Sequence, residues 1–256
     1  MSSSIQGHLS IRVLLITLVL VVFLNSAGSA DEIQTGEFVI RSSSRELLGQ
    51  KRAETMSSYM PLDQAVEWSS YVPKDYDAEN PPGLLVFINS IPSGKILDDW
   101  KEVMDKGNLI WVGANQSGNE VNTALRVNYA VMGVAAINRN YRIDPDRVYI
   151  SGFSGGSRVA SMAAIEFAGL FKGAIYNCGV NLWGENKPPA LSEVMRNRYV
   201  FITGTRDFNL QDTREVFKAY KRAGVPNIKL MVIPGMHHNY PEANVLEEAI
   251  IYLDTR

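Results

Sequence analysis

The chain has 256 residues, 46% of them hydrophobic and 20% charged, with a formal net charge of −2. That length and apolar content suffice for one domain with a large core, and so small a charge leaves no electrostatic footprint for nucleic acid. One cysteine, Cys178, excludes an internal disulfide, and no Gly-rich phosphate loop or metal-spaced His/Cys/carboxylate group calls for a cofactor.

Met1 to Ala30 contains one arginine, Arg12, and no acid. Its run from Val13 to Leu24 is apolar except for Thr17, and Gly28-Ser29-Ala30 offers small residues for cleavage. A signal peptide over residues 1–30 is expected, and with it a secreted or periplasmic location. An uncleaved anchor is the alternative, although the apolar core is short for a membrane span. Residues 31–61 are polar, include Ser42-Ser43-Ser44, and read as a loosely ordered arm. Residues 62–256 form the remaining domain.

Within that domain Val66 to Val72 alternates as an edge strand stopped by Pro73. Apolar, β-branched runs predict further strands near 84–89, 109–114, 147–152, 171–176, 199–204 and 228–233. Helix-like runs fall near 96–105, 122–139, 156–168, 191–197, 213–223 and 242–253. This alternation implies right-handed crossovers, hence an α/β fold with a mostly parallel, doubly wound sheet and helices on both faces. Asn181 to Pro189, with Trp183 and paired prolines, reads as a lid or as a plain surface connection.

Chemistry concentrates where predicted strands end. Gly152-Phe153-Ser154-Gly155-Gly156 lies between the strand ending near 152 and a mostly apolar helix. A turn this tight strains its central residue, raises the serine clear of the sheet and needs small flanking residues. A serine nucleophile requires a base, and outside the leader only His237 and His238 carry imidazoles, just past the strand near 228–233. Spacing does not separate the two. The carboxylate that would orient the imidazole is Asp207, three residues past Gly204, whereas Asp212 directly precedes the predicted helix at 213 and reads as its cap. An oxyanion would be held by the Gly155 N–H and by a backbone donor from Ser90 or Ile91, in the turn Asn89-Ser90-Ile91-Pro92-Ser93-Gly94. Asn89 and Ser90 side chains are further donors there, or they bond their own loop. Cys178, at the end of an apolar run, reads as a small buried residue.

The order Ser154, Asp207, His237/His238 is that of the α/β-hydrolases. From Asp144 to about Glu242 the chain resembles their polyhydroxybutyrate depolymerase and feruloyl esterase branch. The resemblance rests on Ile143-Asp144-Pro145-Asp146-Arg147-Val148-Tyr149 before the pentapeptide. It continues through Thr203-Gly204-Thr205-Arg206-Asp207-Phe208-Asn209 and Pro234-Gly235-Met236-His237-His238. It implies the α/β-hydrolase fold, places the base at His238 with His237 standing where a glycine is usual, and suggests an exported serine esterase. The expected substrate is a small-molecule or polymeric ester. Two alternatives remain: a peptidase or amidase with the same triad, and a non-catalytic binding protein. The departure is the turn after Ile88, which lacks the glycines usual there.

Overall fold

The computed structural model describes residues 33–56, 60–183 and 191–255, so the expected leader over 1–30 and most of the expected lid lie outside the described residues. The described residues form one eight-stranded sheet. In chain order its strands are β1 (Gly36–Ser42), β2 (Val66–Val72), β3 (Gly83–Ile88), β4 (Leu109–Ala114), β5 (Val148–Phe153), β6 (Gly173–Asn177), β7 (Arg198–Gly204) and β8 (Ile228–Ile233). Their spatial order is β1-β2-β4-β3-β5-β6-β7-β8. The β1–β2 and β2–β4 pairs are antiparallel, and every pair from β4 to β8 is parallel.

The central strands are buried on both sides, which is why they read as unbroken apolar runs rather than alternating ones. In β3, Leu84, Val86 and Ile88 enter one core while Leu85 and Phe87 enter the other. Helices α3 (Lys101–Gly107) and α8 (Ala243–Asp254) close the face carrying Phe87, Trp100 and Trp111. Helices α4 (Thr123–Asn138), α5 (Gly155–Glu166) and α7 (Leu210–Arg222) close the other, with α1 (Ser44–Leu48) beside α4. Two short helices complete the set: α2 (Gln50–Met56) and α6 (Leu191–Arg196).

Four expectations are corrected. Residues 31–61 are no loose arm in their described part: β1 pairs with β2 from Gly36↔Val72 to Ser42↔Val66, so β1 and not β2 is the edge. The serine run has a structural use, because Ser43 caps α1 in a reciprocal capping box with Glu46. The predicted helix at 96–105 opens with a 3-10 turn, Asp98–Trp100, and runs on to Gly107. Lastly, α7 begins at Leu210 rather than 213, so Asp212 lies inside its first turn and Asn209 occupies the cap position.

Candidate active site

Parallel strands bring their C-terminal ends to one edge, where the predicted residues meet. At the end of β5 the chain turns directly into α5, and Ser154 sits on that corner at φ 54°, ψ −120°. A non-glycine residue held there costs about 1–3 kcal/mol and persists only where its surroundings over-determine it. They do so here. The Ser154 N–H donates to the Asn177 carbonyl at 2.9 Å, and the Asn177 amide donates to the Gly152 carbonyl at 2.8 Å, both from the end of β6. A Cβ on Gly152 would strike the backbone of Gly156, and one on Gly156 would overlap the Ile88 carbonyl oxygen. Both glycines are therefore needed for strand and helix to pass this closely, and the second also brings α5 against the end of β3.

His238, in the turn after β8, bridges the other two groups. Its Nε2 lies 2.8 Å from Ser154 Oγ and its Nδ1 lies 2.8 Å from Asp207 Oδ1. No hydrogen bond joins the exposed His237 to either group among the described residues, so the geometry separates two histidines that spacing left equal. The imidazole is framed by aromatic rings: Phe208 stacks on it at 4.0 Å between centroids, and Phe153 lies at 5.1 Å. Phe208 is 76% exposed, so it forms an apolar wall beside the site rather than part of the core.

Asp207 is 5% exposed and fully bonded. Besides His238, the Asn209 N–H donates to Oδ1 at 3.0 Å and the Thr203 hydroxyl to Oδ2 at 2.8 Å. Burial alone would raise this carboxyl; donation from Asn209, His238, the Cys178 thiol and Thr203 outweighs it and holds the group below the usual aspartate range. Cys178 is buried beside it, and burial followed by the neighbouring Asp207 pushes its thiol well up, so it stays protonated. Cys178, Asp207 and His238 hold ligand atoms close together, but the protonated thiol and the filled carboxylate suit a hydrogen-bond network better than a metal ion.

Asn209 organises the same loop, with its amide donating to the Cys178 carbonyl at 2.7 Å and its oxygen accepting from Arg158 at 3.0 Å. Arg158, from the first turns of α5, also reaches Asp212 at 3.3 Å and the Val180 carbonyl at 3.3 Å, tying the serine helix to the aspartate loop. Sequence reasoning missed Thr203, Asn209 and Arg158. The available signal was position only, four residues before Asp207, two after it and four after Ser154.

The turn after β3 closes the site. Asn89 is buried and its side chain serves its own loop: Nδ2 donates to the Ser93 carbonyl at 2.8 Å, while Oδ1 accepts from the Ser90 N–H at 2.8 Å and from the Tyr240 hydroxyl at 2.7 Å. The Ser90 N–H is thereby occupied, which corrects its expected role as an oxyanion donor. The Ile91 N–H has no partner among the described residues. Gly155 opens α5, so its N–H also lacks an intrahelical partner. The arrangement thus offers a hydroxyl with an oriented imidazole and two uncommitted backbone donors.

No protein-family model matches the chain, and no curated protein matches it. Solved structures do. A ferulic acid esterase superposes with a TM-score of 0.64 at 16% identity, covering 86% of this chain and 98% of its own. The chain has the α/β-hydrolase fold. The S-formylglutathione hydrolase of Staphylococcus aureus gives a TM-score of 0.57 at 15% identity over 87% of this chain and 99% of its own. The feruloyl esterase module from Clostridium thermocellum gives 0.58 at 12% identity over 90% and 91%. In its turn after β3 the chain carries Asn89-Ser90, and a buried asparagine network shapes the loop.

Proposed function

We propose that this chain is a serine hydrolase of carboxylic esters acting through an acyl-enzyme. The observation that carries the reading is the bridge made by His238, with 2.8 Å to Ser154 Oγ on one side and 2.8 Å to Asp207 on the other. Ser154 Oγ forms the bond to the acyl carbon as its proton passes to His238 Nε2. Asp207 keeps Nδ1 protonated and balances the imidazolium. The carbonyl oxygen, now anionic, accepts from the Gly155 and Ile91 N–H groups. When the C–O bond to the alcohol breaks, His238 returns the proton to the leaving oxygen. Water then attacks the acyl carbon, gives its proton to His238, and the acid departs as Ser154 is regenerated. The strained Ser154 backbone supports the reading, since its cost has no evident return in packing. The exposed Phe208 wall favours an ester with an apolar or aromatic portion. The named activities of the solved neighbours point the same way.

The acid-free apolar leader supports export to a secreted or periplasmic location, with ester substrates rather than nucleic acid as partners. The test is direct. A fluorophosphonate should label Ser154 of the wild-type chain, and short nitrophenyl esters should be hydrolysed. Ser154→Ala should abolish labelling and lower kcat by about 10,000-fold or more. Cleavage of aminoacyl anilides but not esters would replace the esterase reading by the peptidase one. An unlabelled, inert but folded wild-type chain would make it a binding protein.

A further inference from the structure

Helix α4 is buried on most sides, and among its apolar residues lies Arg126, only 4% exposed. No carboxylate forms an ion pair with it among the described residues; burial draws its pKa down, opposed by the field of Glu120. A buried cation without a contacting acid is costly unless its hydrogen bonds and its field serve something. Its bonds are specific. Nη2 donates to the Asn89 carbonyl at 2.6 Å, Nε to the Ser117 carbonyl at 3.0 Å, and Nη1 to Asn119 Oδ1 at 3.4 Å.

Those three acceptors lie on the turn after β3, which carries Ile91, and on the turn after β4. Asn89 begins the turn that carries Ile91, so the Nη2 bond fixes the plane of the peptide from which that turn departs. Asn119 belongs to the turn after β4, and its N–H donates to the Ser90 carbonyl at 2.9 Å. Its side-chain oxygen lies against the Cα of Gly155, where a Cβ would overlap it. One guanidinium therefore contacts the Ile91 turn directly and, through Asn119, the backbone of Gly155.

We infer that Arg126 is a positioning residue for the oxyanion pocket, registering the Ile91 and Gly155 N–H donors against each other and adding positive potential behind them. The inference rests on the serine hydrolase reading. The planar fork is what lets one side chain hold two carbonyls and an amide oxygen at once, a task the point charge of lysine cannot repeat. Its charge, shielded from water, acts on the negative oxygen that appears only in the transition state, so it should affect kcat and not substrate binding.

Two variants separate fork from charge. Arg126→Met removes both and keeps the stem, whereas Arg126→Lys keeps the charge. With a nitrophenyl ester, Arg126→Met should lower kcat about 100-fold with KM changed less than about threefold, and Arg126→Lys should restore about a tenth to a third of the loss. The second readout is the rate constant for fluorophosphonate labelling. Ser154 Oγ bonds to phosphorus as fluoride leaves and the proton passes to His238, while the phosphoryl oxygen occupies the same pocket; this rate should fall in parallel.

Melting temperature checks folding. If Arg126→Met does not fold, Arg126→Lys decides alone, with labelling slowed about three- to tenfold as the expected result. A folded variant labelled at the wild-type rate, or one whose loss lies in KM alone, overturns the proposal. If the wild type is labelled but turns over no ester, the esterase reading falls and the labelling rates still judge Arg126. If the wild type is not labelled, both fall together.

Discussion

At the residue scale the assignment turns on which donors remain free. Asn89 spends both sides of its amide on its own loop and on Tyr240, and it draws the Ser90 N–H into that network. That leaves the Ile91 N–H without a partner among the described residues, and the proposed mechanism assigns it the second oxyanion donor beside Gly155. Ile91→Pro removes that hydrogen, keeps an apolar side chain and breaks no hydrogen bond that its N–H makes among the described residues. It should lower kcat about 100- to 1,000-fold with little change in KM or melting temperature, as expected for losing one oxyanion donor. Ester kinetics on the folded variant check this, and an unchanged kcat would move the second donor elsewhere. That Ser154, Asp207 and a histidine would meet was legible because each closely follows a strand and parallel strands end together. His238 was not separable from His237 by spacing, since neighbours in one turn differ only in where the backbone aims them. Asn209 and Arg126 were hidden for a different reason: their bonds to Cys178 and Asn89 join loops remote in sequence, and no periodicity reports that.

At the scale of elements, the strands were legible from their apolar runs, while helix starts moved with local hydrogen bonding at Asp98–Trp100 and Asn209. The lead-in to β5 shows how a motif can be structural. Asp144 accepts from the Asp146 N–H and caps the 3-10 turn Pro145–Arg147, in which Pro145 needs no N–H partner. Arg147 then pairs with Asp254 through Nε and Nη2, both at 2.8 Å, and donates to the Gly107 carbonyl at 2.7 Å. The Tyr149 hydroxyl joins the same carboxylate at 2.6 Å, and burial followed by Asp254 keeps its phenol protonated. These contacts fasten the start of β5 to the ends of α3 and α8, at the opposite end of the strand from Ser154. Asp254→Asn weakens a bidentate, partly buried pair and should cost about 1–3 kcal/mol in urea unfolding. The kcat should stay at its wild-type value. A matching loss of kcat would show that the far end of β5 is coupled to the serine turn.

At the scale of the molecule, the domain extends further toward its N-terminus than composition suggests. Residues 31–61 read as a linker because they are polar and hold a serine run, yet Ser43 and Glu46 flank the start of Leu47-Leu48 in capping-box spacing, and Phe38-Val39-Ile40 can lie on an edge strand. An edge strand needs only one apolar face, so its composition looks like that of a loop. In the fold it is fastened at several points. Ser44 donates to the Leu62 carbonyl at 3.0 Å, Phe38 lies against Tyr141, Tyr141 donates to the Gln34 carbonyl at 2.6 Å, and Leu48 enters the core beside α4. Without them β2, carrying the buried Trp68, would become an unprotected edge. A chain beginning at residue 62 should therefore lose at least about 3 kcal/mol of stability relative to one beginning at residue 31, and it should associate through β2 as concentration rises. Urea unfolding and size-exclusion chromatography over a concentration series measure the two effects. A monomeric truncated chain of undiminished stability would restore the reading of these residues as an arm. Because β1 lies at the opposite edge of the sheet from β7 and β8, the folded fraction of the truncated chain should keep its ester turnover per molecule, so that stability and chemistry part in one experiment.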